Sequence, residues 1–175
     1  MTEFRPALFL VHDGVLGSGA DAADVNGPAD SADGAVDCIR AFNARNYLVC
    51  IINNQPDIAM GLRTEDELRQ AHQRLTEALS LEGAKIDGWF FCPFHPDASV
   101  SFYRKDSFDR LPRPGMILQA MAELPIRKEA SFLIGPNEDS LQAARHAGVG
   151  GFLYKGGNLA VFAEWALADF ESGAR

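Results

Sequence analysis

Side chains able to do chemistry gather at a few places in this sequence. His12 and Asp13 follow the apolar run 7–11 directly. An imidazole beside a carboxylate is a candidate acid/base pair; the same residues also serve as a solvated loop histidine and an aspartate that hydrogen-bonds the loop after a strand. Asn53, Asn54 and Gln55 follow the apolar run 47–52. Their amides, with loop N–H groups, suit an oxyanion, and they suit equally the capping of a strand end. Arg110 and Arg113 flank Leu111-Pro112. Guanidinium groups bind phosphate oxygens in pairs, or lie in solvent. Asp139 follows Gly135-Pro136 and supplies one more carboxylate.

These groups need elements to hold them. The continuous apolar runs 7–11 and 47–52 read as strands buried on both faces. Further strands are predicted over 86–92, 130–134 and 151–154. Helices are predicted over 35–45, from the Thr64 capping box to about residue 79, and over 115–124 and 138–147. A last helix is marked by Leu159, Phe162, Ala163, Ala166, Leu167 and Phe170. Alternation of this kind predicts an α/β fold with a central parallel sheet of about five strands and helices on both faces. Ligands in such folds bind where the strands end. The loops to inspect are therefore 12–14, 53–61, 92–115 and 135–139. Residues 17–34, poor in large apolar side chains, read as a flexible surface loop. No second domain or repeat is visible, so 1–175 reads as one domain.

Composition narrows the classes. The chain has 175 residues, a hydrophobic content of 47% and a formal net charge of -8. That apolar fraction excludes a disordered acidic tail. The negative charge argues against nucleic-acid binding. No run is long enough to span a membrane, and Met1 to Pro6 does not read as a signal peptide. Cys38, Cys50 and Cys92 are sparse and odd in number, which points to reduced thiols and a cytoplasmic protein.

Motifs in the strand-end loops carry a resemblance. Residues 9–16, Phe-Leu-Val-His-Asp-Gly-Val-Leu, resemble the first motif of the haloacid dehalogenase (HAD) superfamily. Asn53-Asn54-Gln55, with Ile58-Ala59 and Gly61, is similar to the Thr-Asn-Gln-Ser-Gly-Ile-Ala-Arg-Gly segment of one branch. That branch holds the D-glycero-D-manno-heptose 1,7-bisphosphate phosphatases and the histidinol-phosphate phosphatases. Cys92-Pro93-Phe94-His95-Pro96 is similar to its Cys-Pro-His-His-Pro. Arg110-Leu111-Pro112-Arg113-Pro114-Gly115-Met116 is similar to its Arg-Lys-Pro-x-Pro-Gly-Met, and Ile134-Gly135-Pro136 stands where it has Val-Gly-Asp. The resemblance implies a three-layer Rossmann-like HAD fold without a large cap domain.

It also implies a role for each position, and this chain departs at most of the charged ones. The attacking carboxylate is Val11, while the acid/base carboxylate is kept as Asp13. The phosphate-holding lysine is Leu111. The metal-binding carboxylates are Pro136 and Ser140, with Asp139 one residue early. Of the branch's zinc ligands Cys92 remains; Phe94, Ser107 and Asp109 occupy the others, and His95 is out of place. The expectation is therefore no structural zinc, weak or absent Mg²⁺, and a loop over 93–114 packed through Phe94, Phe102, Tyr103 and Phe108.

Three functions fit these residues. The leading expectation is a protein without phosphatase activity that binds a phosphorylated sugar or metabolite, or a partner protein. The alternative is an enzyme with metal-independent acid/base chemistry, or residual phosphatase activity, on a sugar phosphate. Convergence of His12 and Asp13 favours that alternative, and an apolar floor at Val11 weakens it. A third reading, an interaction module, needs an exposed aromatic patch between Phe94 and Phe108.

Overall fold

The structure is a computed structural model that describes residues 3–17 and 31–173. Five strands, β1 (Ala7–Val11), β2 (Leu48–Asn54), β3 (Gly88–Cys92), β4 (Phe132–Gly135) and β5 (Gly150–Leu153), form one parallel sheet in the order β3-β2-β1-β4-β5. β1 sits at the centre, with Phe9 opposite Cys50 on one side and Leu133 on the other. Every residue of β1 and β4 is buried. This is why those segments read as unbroken apolar runs and not as alternating ones.

Among the described residues six helices complete the layers: α1 (Ala35–Ala44), α2 (Pro56–Ala59), α3 (Glu65–Leu81), α4 (Gly115–Glu123), α5 (Glu138–Ala147) and α6 (Leu159–Ser172). From β1 the chain steps outward to β2 and β3, then returns to β4 and β5 on the opposite side. Right-handed crossovers place the helices of those two journeys on opposite faces. Accordingly α1 packs with α6, and α4 with α5. The expected α/β architecture, with helices on both faces and no large cap domain, is what the chain forms.

Element ends differ from expectation by one to two residues in most cases. The start of β4 moves by two residues: residues 128–130 form a single 3-10 turn, and the strand starts at Phe132. Residues 56–59, read as loop, make the short helix α2, started by Pro56 whose fixed φ suits a first helical turn. The Thr64 capping box is present: Thr64 Oγ1 accepts from Glu67 N at 3.2 Å, and Glu67 Oε2 accepts from Thr64 N at 2.8 Å. The expected loop over 17–34 lies, for residues 18–30, outside the described residues. Among the described residues no helix is long and apolar enough to cross a membrane.

The aromatic residues of the 93–114 segment do not behave alike. Phe94 packs against the core, and Tyr103 lies 5.9 Å from it between ring centroids. Phe102 and Phe108 are exposed, at 76% and 57%. Packing of all four rings inside the loop is thus corrected to packing of two. The segment is held largely by polar contacts, including His95 N to Tyr103 O and the Arg113–Asp106 pair.

Candidate functional site at the strand ends

β1 ends in a wide turn, His12–Leu16, closed by Gly17 N donating to His12 O at 2.9 Å. Gly14 adopts φ +85°, and a Cβ there would stand 2.9 Å from Pro136 Cβ. Only glycine meets both demands. The turn thus packs against the loop after β4, at the switch point where β1 lies between β2 and β4.

Two polar contacts fix this turn. Asp13 N donates to Asn53 Oδ1 at 3.1 Å, which ties the first loop to the end of β2. His12 Nδ1 and Asp13 Oδ1 lie 2.9 Å apart. The Asp13 side chain is half exposed, whereas His12 is buried at 6% exposure. Burial raises the Asp13 carboxyl pKa. Hydrogen bonds from His12 and Asn53, and the charge of His12, outweigh that effect and hold it below the ordinary carboxylate value. Asp13 is therefore a carboxylate paired with an imidazole.

The alternative of a solvated His12 is corrected here. Its ring lies beneath the loop, 6.0 Å from Trp89 and 6.4 Å from His72 between centroids. Those aromatic neighbours lie on β3 and α3, distant in sequence. Val11 is also buried, at 4%, and belongs to the hydrophobic core. Both features named in the sequence are thus present together: an apolar Val11 below, and a converged His12–Asp13 pair above.

The second strand end is largely occupied with itself. Asn53 Nδ2 donates to Asn54 O at 2.9 Å, so both ends of the Asn53 amide are engaged. Asn54 Oδ1 accepts from Leu111 N at 3.0 Å, linking the third loop to the second. Gln55 is 2% exposed, and its Oε1 is buried without a partner among the described residues. A buried orphan acceptor is costly, and ordinarily meets a water or a ligand donor.

The arginines part company. Arg113 makes a two-pronged pair with Asp106, at 2.6 and 2.8 Å, and so is not free for a ligand. Arg110 is half-buried and makes no side-chain hydrogen bond or ion pair among the described residues. Asp139 stays exposed in the first turn of α5, where it complements the helix dipole. Ser140 is fully buried inside the capping box of α5, whose N-cap is Asn137: Ser140 N donates to Asn137 Oδ1 at 3.1 Å and its hydroxyl donates to Asn137 O at 2.6 Å. Cys92 is buried and its thiol faces Phe94 O at 3.8 Å. His95 Nδ1 accepts from Asp97 N.

One residue passed over in the sequence belongs to this end of the sheet. Lys155, just beyond β5, donates from Nζ to Pro136 O at 3.4 Å. Its signal in the sequence is its place, immediately after a strand and before Gly156-Gly157.

No protein-family model matches the chain. Among curated proteins it is similar to the D-glycero-beta-D-manno-heptose-1,7-bisphosphate 7-phosphatase of Rhodopseudomonas palustris, at 35% identity over 97% of this chain and 94% of that one. Among solved structures it is similar to a HAD-like phosphatase of Mesorhizobium loti, with TM-score 0.81, 26% identity and coverage of 97% and 87%. It is also similar to the D,D-heptose 1,7-bisphosphate phosphatase of B. bronchiseptica, solved with magnesium and phosphate, with TM-score 0.75, 25% identity and coverage of 94% and 99%. The leading expectation of a protein without phosphatase activity is overturned by these matches. Curated relatives at 33–35% identity over most of the chain are phosphatases, which points to phosphatase function. The substitutions at Val11, Leu111 and Pro136 say which atoms are missing at three positions; they do not say which remaining groups carry a reaction. The chain belongs to the D-glycero-D-manno-heptose 1,7-bisphosphate phosphatase family of the HAD superfamily.

Proposed function

We propose that this protein hydrolyses a phosphomonoester of a sugar, of the heptose bisphosphate type its relatives act on, by direct attack of water and with the His12–Asp13 pair as the acid. The observation that carries this reading is the 2.9 Å contact between His12 Nδ1 and Asp13 Oδ1 at the carboxyl end of the central strand.

Val11 is a hydrocarbon, so no phosphoryl-enzyme forms at that position. Water then adds to phosphorus as the bond to the sugar oxygen breaks. The proton held between His12 Nδ1 and Asp13 Oδ1 passes to the leaving sugar oxygen, and the proton lost by water goes to a phosphate oxygen. The product returns a proton to the pair through solvent, which restores it. Catalysis of this kind rests on positioning and on proton delivery. Asn54 and Arg110, with the orphan Gln55 Oε1, are the groups that would meet phosphate oxygens and sugar hydroxyls.

The donor set supports a reaction without a metal. Mg²⁺ demands several oxygen ligands in near-octahedral array. Asp13 offers a carboxylate, but Val11 and Pro136 offer none, and Asp139 and Asp13 are not gathered with a third such residue among the described residues. The Cys92 region is equally poor in zinc ligands, since Phe94 and Ser107 bring neither thiolate nor imidazole.

The test is release of inorganic phosphate from D-glycero-D-manno-heptose 1,7-bisphosphate in EDTA. Turnover is expected, and Asp13→Asn should lower kcat by about 10² or more, the usual contribution of a positioned acid. Absence of release by the wild-type protein overturns the reading, and so does activity that EDTA abolishes.

A further inference from the structure

The protein is acidic overall, yet its proposed substrate is a dianion or more. The strand-end site therefore needs local positive charge. Leu111 supplies none, and Arg113 is neutralised by Asp106 in a bidentate pair. At the opposite flank stands Lys155. Among the described residues its Nζ donates one hydrogen bond, to Pro136 O at 3.4 Å, and Pro136 packs on Gly14, next to Asp13. An ammonium has three donors, so two remain to meet a ligand.

The backbone after Lys155 adds to this. Gly156 and Gly157 both adopt positive φ, at +104° and +94°, and a Cβ at either would meet nothing within 4 Å. Their N–H groups make no hydrogen bond among the described residues. Tyr154 Oη donates to Gly157 O at 2.5 Å, which holds the turn in place while leaving those N–H groups open. Close behind, Asn158 caps α6 by accepting from Val161 N. A lysine, two open N–H groups and a helix start lie together at the ligand-binding end of a parallel sheet.

We propose that Lys155, with the Gly156–Gly157 backbone, forms the cationic wall of the site and binds the phosphate group of the substrate across the Gly14–Pro136 contact. This rests on the phosphomonoester reading above and adds to it a phosphate-binding residue just beyond β5, on the far side of the site from Asn54 and Arg110.

The experiment is titration of the full chain with inorganic phosphate, followed by calorimetry, at low and at moderate ionic strength. Lys155→Met should weaken phosphate binding by tenfold or more and reduce its salt dependence. Lys155→Arg, which keeps the charge, should stay within about threefold of the wild type. Lys155 is exposed, so unfolding temperatures of both variants should match the wild type and separate a binding loss from misfolding. If Lys155→Met binds phosphate as the wild type does, the assignment of Lys155 is wrong and the phosphomonoester reading stands. If the wild type binds no phosphate, both fall.

Discussion

His72 shows how a single side chain acquires properties its type does not carry. Its ring stacks on Trp89 with centroids 4.1 Å apart and planes 14° from parallel. Burial, then the positive charges of His12, Arg63 and Arg69, lower its pKa from the usual 6.5 to about 3. The unfolded chain takes up a proton there below about 6.5, while the folded protein does so only near 3. Between those values the unfolded state holds more protons, so the contribution to stability is complete above pH 6.5 and lost as pH falls. Denaturant midpoints of the wild type should accordingly drop between pH 6.5 and 4 more steeply than those of His72→Leu. Parallel slopes would show that His72 does not carry this effect. Cys38 and Cys50 follow the same logic in the other direction: burial pushes each thiol up to about 12, so both stay protonated and inert at neutral pH.

At the scale of elements, caps and close approaches decide stability. The box at the start of α3 satisfies two backbone donors through Thr64 and Glu67. Thr64→Ala should cost about 1 kcal/mol in chemical unfolding and leave phosphate release unchanged, since this helix start lies outside the strand-end loops. Gly115, the first residue of α4, is more demanding. A Cβ there would approach Asp109 Cα and Phe108 O to 2.6 Å, both of them backbone atoms. Gly115→Ala must therefore shift the loop that carries Arg110 and Leu111. We expect a loss of about 2 kcal/mol or more in stability, with a raised KM in the same variant. An unchanged KM would mean that the 108–115 loop does not shape the site.

The whole molecule is organised about Phe132 in β4. It is fully buried and meets Phe42, Tyr47, Phe152 and Phe170 at centroid distances of 5.3 to 6.3 Å, so it touches α1, α6 and a neighbouring strand at once. Edge-on and tilted ring pairs of this kind add to simple burial. Phe132→Ala should cost about 3–5 kcal/mol, read from the denaturant midpoint, because the facing helices are held by the sheet and cannot collapse into the gap. A loss below 1 kcal/mol would mean that the aromatic cluster rearranges freely.

Periodicity and strand-end motifs carried the architecture, because short apolar runs bounded by turn residues fit fully buried parallel strands, and apolar residues at helical spacing fit the helices between them. Residues 7–11 and 138–147 are instances, as is the capping box at Thr64, whose partners are three residues apart. The chemistry of Val11, Leu111 and Pro136 was equally legible, since side-chain composition is a property of sequence alone. What the tertiary structure decided lies between residues far apart in the chain. The burial of His12 depends on Trp89 and His72, and Arg113 is consumed by Asp106 through the path of an irregular loop. Lys155 reaches the site because β5 pairs with β4, which brings its ammonium to Pro136 O. Local sequence sets which groups exist and which elements form. Only the packing of those elements determines which charges are neutralised, which are buried and which are left free to meet a phosphate.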